Sequence, residues 1–256
     1  MRARLWRWLP PLVVLLALVG AWEAYSDSGV VDSLILPAPH AVARSLYTDR
    51  DLLAENFLTT ATEVAVGIAL SLSLGAVMAV LIHLSTILRR ALYPLLVGSQ
   101  AVPVLVLAPL LVFWWGFGML PRLAVIVIVC FFPVVVTTVD ALDSVDPDQL
   151  KLLRTLDASR WQAFRLAEAP TALPAAISGA KISLAVAVIG AFIAESGVAA
   201  SSGLGHEIVS DIPGLQTARA YAAVVVLTVF AVSCFYALAL AERRLAPWAH
   251  RARGDR

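Results

Sequence analysis

Six long apolar runs, separated by short stretches that hold most of the charge, dominate this sequence: approximately Leu9–Tyr25, Phe57–Ile82, Leu92–Trp115, Leu123–Asp140, Ala175–Ala194 and Tyr221–Ala241. Crossing roughly 30 Å of hydrocarbon takes about 20 mostly apolar residues in a helix. Lipid offers no partner to an unpaired backbone amide, so runs of this length predict membrane-spanning α-helices. Composition agrees, with 60% hydrophobic residues, 14% charged residues and a mean hydropathy of +0.85. A soluble domain of 256 residues would need more polar surface than that. The expected fold is therefore an all-α membrane protein of six transmembrane helices.

Basic residues orient the spans, because cytoplasmic segments collect Lys and Arg. With the N-terminus inside and the spans alternating, 15 of the 19 Lys and Arg fall inside. Only Arg44, Arg50, Arg122 and Arg219 fall outside. Both termini are expected in the cytoplasm of a bacterial cell (inner) membrane protein. A basic start followed by LPPLVVLLALVG also fits a signal peptide cleaved near Ala24. The apolar run exceeds a usual h-region and lacks a clean small-x-small site, which favours a retained span. The net charge of +1 gives no reason to expect a nucleic-acid partner. Cys130 and Cys234 lie inside apolar runs without metal-ligand spacing and read as packing residues. The chain divides into residues 1–56 (first helix and outer connector), 57–241 (a five-helix core with a cytoplasmic loop at 141–174) and 242–256 (a basic tail).

The polar segments differ in character. In Ser26–Asn56, Pro37 and Pro39 interrupt any continuous helix, and a mildly amphipathic stretch from Ala41 fits either a short interfacial helix or a plain connector. WWGFGMLPR is a tight reversal with Trp114 and Trp115 at aromatic-belt depth. The Gly/Ser-rich segment Glu195–Ala220 reads as a flexible gate or docking surface.

The loop from Ala141 to Pro174 is longer than a connection needs. Asp146-Pro147-Asp148 has the chemistry of a helix start. Leu150, Leu153 and Leu156 recur at helical spacing, a break follows at Asp157-Ala158-Ser159, and Ser159 is placed to cap a second short helix. Pro170 and Pro174 end the unit. Lys151, Arg154, Arg160 and Arg165 stand beside Trp161 and Phe164, a mixture suited to partner docking.

Ionisable groups within spans are functional candidates by default. Glu63 and Glu195 lie near the outer ends of their spans, while Asp140 and Lys181 lie near cytoplasmic ends and can snorkel to water. In the third span, Gln100, Pro103 and Pro109 interrupt the helix and can expose a carbonyl, seat a hinge or simply kink it. Glu63, Gln100, Pro103 and Glu195 are the candidates for a translocation path. Gly179, Ala180, Ser183, Ala187, Gly190 and Ala194 permit close helix approach, as at a dimer interface.

The loop resembles that of the permease subunits of bacterial type I ABC importers, whose signature reads EAA, three residues, Gly, nine residues, then I-x-LP. Lys151-Leu152-Leu153 stands at EAA, Asp157 at Gly and Ala167-Glu168-Ala169-Pro170 at I-x-LP, with only Pro170 identical. The surrounding stretches VLAPLLVFWWGFG, FFPVVVTTVDAL, DASRWQAF, LPAAISGAKIS, SSGLGHEI and AERRLAPW resemble the nitrate, sulfonate and taurine branch. LLRTLDASRWQ, SGAKIS and AVIGAFIAE look closest to members associated with hydroxymethylpyrimidine, a thiamine precursor.

The resemblance implies a subunit without catalytic residues, metal or cofactor of its own. A separate ATPase would bind ATP and Mg and engage the loop through Asp148, Lys151, Leu152, Leu153, Arg154, Asp157, Ser159, Arg160 and Trp161. It also implies membrane lipid, a homodimer and a periplasmic or lipid-anchored substrate-binding protein as partners. The solute would be a thiamine-precursor pyrimidine or, alternatively, an aliphatic sulfonate, taurine or nitrate. Lys151 reverses the charge of the family's Glu, and Asp157 takes the place of a turn glycine. Two rivals from other classes fit less well. An ion-coupled secondary transporter predicts more buried charge and inverted repeats. An intramembrane enzyme predicts a catalytic cluster, and no Ser-Lys pair or HExxH motif is present.

Overall fold

A computed structural model describes residues 2–197 and 200–245 of the chain. The described residues are helical throughout their regular structure: α1 (Arg2–Asp27), α2 (Pro39–Thr48), α3 (Arg50–Leu84), α4 (Thr86–Ser99), α5 (Val104–Trp115), α6 (Met119–Asp143), α7 (Pro147–Thr155), α8 (Arg160–Ala163), a π-helical turn (Phe164–Glu168), α9 (Ala169–Glu195), α10 (Leu204–Asp211) and α11 (Thr217–Leu245). Among the described residues five stretches are long and apolar enough to span a membrane, and the α4–α5 pair makes a sixth if it crosses as one broken span. The basic tail beyond Leu245, with Arg251, Arg253 and Arg256, lies outside the described residues.

The third apolar run is where the structure departs most from a simple span. A single helix from Leu92 to Trp115 is expected, yet α4 and α5 meet at a bend of 100°. Pro103 has no N–H to donate and holds Val102 away from helical geometry. The chain ahead of it tightens into three-residue turns, with Ala101 N–H donating to Gly98 O at 3.1 Å and Val102 N–H to Ser99 O at 3.2 Å. Pro109 lies inside α5.

The chain forms two compact units. Met1–Thr59 with Ser202–Thr228 makes the first. Here Glu23 of α1 caps α2 from a distance, accepting from the His40 N–H at 3.2 Å and meeting the His40 Nδ1 at 2.5 Å. Ala38 at the N-cap makes no side-chain cap bond, and Pro39 fills the first turn. Ser26 donates to Leu36 O at 2.6 Å, fixing the Pro-rich connector. The segment expected to be a flexible gate contains α10. Asn56 donates to Glu207 at 2.9 Å and accepts the Gly203 N–H at 2.7 Å, while Arg219 donates through Nε to Asp211 at 2.8 Å.

Thr60–Ser201 with Val229–Arg256 makes the second unit, built around α6. One face of α6 buries Val125, Ile126, Cys130, Val134, Val135 and Val139, at the spacing of a helix packed on two sides. On α3, a Cβ at Gly75 would fall 2.6 Å from Val134 Cγ1, so only hydrogen fits there. On α9, a Cβ at Gly179 would collide with Thr137. Of the small residues expected at a dimer interface, Gly179, Ala180, Ser183, Ala187 and Gly190 are buried and Ala194 is half-buried, and α9 spends this face on α6 of its own chain. The approach is close as expected, but it is intramolecular. Cys130 and Cys234 are unpaired, and Cys130 Sγ donates to Ser183 O at 3.3 Å.

Candidate functional site

Between α6 and α9 the chain builds a compact helix–turn–helix. Asp146 caps α7 by accepting the Asp148 N–H at 2.9 Å, and Pro147 takes the first turn. The C-terminus of α7 is a Schellman turn: Ala158 N–H donates to Leu153 O and Asp157 N–H to Arg154 O, both at 3.1 Å. That motif needs a left-handed residue just past the cap, a place glycine usually takes, and Asp157 holds it at φ 56°. Ser159 then closes a reciprocal capping box with Gln162, with bonds of 3.3 Å and 2.7 Å. Phe164 is buried against Ala141, Leu142 and Ala172, which ties α8 to the helices below.

The unit turns its remaining side chains outward. Leu152, Leu156 and Trp161 are exposed by 62%, 70% and 59%, whereas Leu150 and Leu153 are half-buried. The expected stripe of Leu150, Leu153 and Leu156 therefore divides, with Leu156 on the open side. Trp161 stacks on Phe164 with ring centroids 5.2 Å apart, which fixes its plane while leaving it accessible. Lys151 reaches back to Asp148 at 2.8 Å, and both are exposed. Arg154, Asp157, Ser159 and Arg160 are exposed as well. Asp148, Lys151, Leu152, Leu153, Arg154, Asp157, Ser159, Arg160 and Trp161 thus share one rigid unit of about seventeen residues.

The path candidates separate into two places. Glu63 of α3 and Glu195 at the end of α9 lie in one buried polar cluster, with relative exposures of 2% and 0%. Arg122 Nη1 donates to Glu63 Oε1 at 2.7 Å and Thr60 Oγ1 donates to Glu195 Oε1 at 2.7 Å. Arg122 is itself 8% exposed, not a loop cation as its sequence position suggests. Its one signal in sequence is that it directly precedes the apolar run Leu123–Asp140, where an arginine drawn into the helix needs a partner. Gln100 and Pro103 lie instead at the exposed α4–α5 bend, away from this cluster's hydrogen bonds. Lys181, expected to snorkel, is bonded to Glu242 of α11. A cavity of about 560 Å³ lies between α5 and α9, lined by Ala108, Pro109, Val112, Phe113, Phe117 and Ala194. It is open on one side, and its walls are apolar, with Phe113 and Phe117 themselves exposed.

Residues 71–249 match the family described as the binding-protein-dependent transport system inner membrane component. A probable ABC transporter permease protein of Haemophilus influenzae is 32% identical over 91% of this chain and 94% of its own length. The formylaminopyrimidine transport permease protein ThiX of Halalkalibacterium halodurans is 32% identical over 94% of this chain and 96% of its own. The taurine transport system permease protein TauC of Escherichia coli is 27% identical over 95% and 93%. In shape, the chain is similar to a chain of the inward-facing MetNI methionine ABC transporter, with a TM-score of 0.62 over 77% of this chain and 95% of that one at 20% identity.

Proposed function

The chain belongs to the binding-protein-dependent transport system inner membrane components, and from that membership we propose that its α7–α8 unit is the docking element for a separate ATPase. It is the multi-pass membrane permease subunit of an ABC importer. The observation that carries the docking reading is the open face of α7 and α8, where Leu152, Leu156 and Trp161 stand exposed among Lys151, Arg154 and Arg160. Large apolar side chains rimmed by charge on a well-capped surface unit mark a partner site. In this reading the unit lies on the cytoplasmic side, and ATP and Mg are bound by the partner. Closure of the ATPase pair pushes on two such units in a homodimer, and a binding protein delivers solute to the opposite face.

The polar cluster of Glu63, Arg122 and Glu195 then stands near the outer end of the path, with Gln100 and Pro103 at the bend of its broken helix. For the solute we favour a small pyrimidine of the hydroxymethylpyrimidine class. The formylaminopyrimidine relative supports it. A small sulfonate such as taurine is the second reading, supported by the taurine relative.

Reconstituted with its ATPase and binding protein, the permease is expected to take up labelled hydroxymethylpyrimidine only when ATP is present. Uptake sustained by a proton gradient without ATP would overturn the importer reading for this chain. Preference for taurine would replace the pyrimidine with the sulfonate. Charge reversal of Lys151 and Arg154, or Trp161→Ala, is expected to lower solute moved per ATP at least tenfold. A normal ratio in all of these variants would place the ATPase contact elsewhere.

A further inference from the structure

We propose that His83 is the positioning residue that clamps both roots of the α7–α8 unit to the membrane helices, as an imidazolium held between Asp143 and Glu168. The proposal rests on the reading of that unit as the ATPase contact. Asp143 is the last residue of α6, where the chain leaves for α7, and Glu168 is the last residue of the π-helical turn, where it returns to α9. His83, one residue before the end of α3, bonds to both: Nδ1 to Asp143 Oδ1 at 3.0 Å and Nε2 to Glu168 Oε2 at 2.9 Å.

Carboxylates only accept, so a ring facing one on each side needs an N–H on each nitrogen. Arg89 of α4 adds a bond to Asp143 Oδ2 at 2.6 Å. Two carboxylates are thereby matched by the imidazolium and one guanidinium. The side chains of His83 and Glu168 are only 12% and 13% exposed, so the match matters more than it would at the surface.

The local backbone fits this task. The π turn closes a five-residue bond from the Ala169 N–H to Phe164 O, and such turns add a residue to the helix and re-aim the side chains beyond it. Here the end of that turn is Glu168, directed at His83. Phe164 lies against the His83 ring at 6.5 Å, and the Arg160 guanidinium reaches His83 O at 3.4 Å. Above the clamp, a cavity of about 370 Å³ is lined by His83, Leu150, Arg154, Ala158, Arg160 and Glu168. The α7–α8 unit is therefore flanked by an open cleft, and the clamp joins its roots directly to α3. A push on α7 and α8 reaches the spans through these roots, and without the clamp the unit would yield into the cleft instead.

The test uses the permease reconstituted with its ATPase and binding protein, and reads solute moved per ATP, ATPase co-purification and unfolding temperature. His83→Gln, with a single donor site and no charge, is expected to keep the ATPase bound and hydrolysing while solute per ATP falls at least tenfold. His83→Arg, a cation with donors on two sides, is expected to return the ratio to within threefold of the parent. An unchanged ratio in His83→Gln overturns the proposal, and so does a loss that His83→Arg fails to recover. If His83→Gln does not accumulate in the membrane, Glu168→Ala opens the same clamp from the other side, and an unchanged ratio there overturns it equally. Failure of the docking reading has a different signature: Trp161→Ala and the reversed Lys151 and Arg154 would then leave the ratio normal, whatever the His83 variants do.

Discussion

At the scale of single residues, Arg122 shows how position in a sequence can mislead. Four residues into α6 it resembles a loop cation, yet it is buried and donates to Glu63, which is buried too. Removing the guanidinium leaves a carboxyl with no opposite charge in a space that water does not reach. Arg122→Ala is expected to destabilise the protein by about 3–5 kcal/mol, read as a lowered unfolding midpoint in detergent. Glu63→Gln in the same background removes the stranded charge and should recover part of that loss. His40 titrates in the other direction of interest. The hydrogen bond to Glu23 and the charge of that carboxylate raise the His40 imidazole above its ordinary value, outweighing the small effect of burial. The contact is therefore fully formed below the ordinary histidine range and is lost as pH rises through the raised value. Glu23→Gln should move the His40 titration back towards about 6.5 when followed by NMR. No movement would mean that the pair is not formed in solution. The local chemistry at Asp146, Asp157 and Ser159 was readable because caps and tight turns depend on neighbours in sequence. The meeting of Glu63 with Arg122 was not, because it depends on how α3 and α6 are rotated against each other.

Among the helices, the close contacts of α6 set the architecture of the larger unit. Glycine on α3 and on α9 lets both approach to backbone distance, and the same residues that invite a partner helix in sequence are consumed inside the chain. Gly179→Leu must displace Thr137 and part α9 from α6. Overpacking of that kind costs roughly 1–3 kcal/mol where a core can adjust, and more where backbone is in the way. The expected result is loss of folded protein from the membrane fraction, while Ile182→Ala on the exposed face of α9 accumulates normally. Equal accumulation of the two variants would mean that α9 is rotated from the position described. Helix existence was legible from hydropathy alone, but helix partners were not, since small residues mark close approach without naming the neighbour. The α4–α5 bend was half legible: Gln100 and Pro103 marked the break, while its angle of 100° was not readable from them. α10 was hidden because the stretch leading into it is rich in glycine and serine and its anchors, Asn56 and Arg219, lie on other helices.

For the whole molecule the same bend decides the topology. α4 and α5 are 14 and 12 residues long, and neither alone covers the hydrocarbon. At 1.5 Å per residue and an angle of 100°, their ends lie roughly 25 Å apart, which is near enough to span but also fits a re-entrant loop. Charge separates the two. If the pair crosses, six spans place 15 of the 19 Lys and Arg on the side of the N-terminus and 4 on the other. If it re-enters, five spans remain and every later segment changes side, so that only 7 stay with the N-terminus and 12 lie opposite. The second arrangement inverts the positive-inside bias and puts the α7–α8 unit on the face away from ATP. We therefore expect a crossing. A cytoplasm-active reporter fused after Arg256 and one inserted between Asp157 and Ala158 should both be active, and an exported-phosphatase reporter at either site should be silent. Phosphatase activity at both sites would establish the re-entrant arrangement and remove the ATPase from reach of this unit.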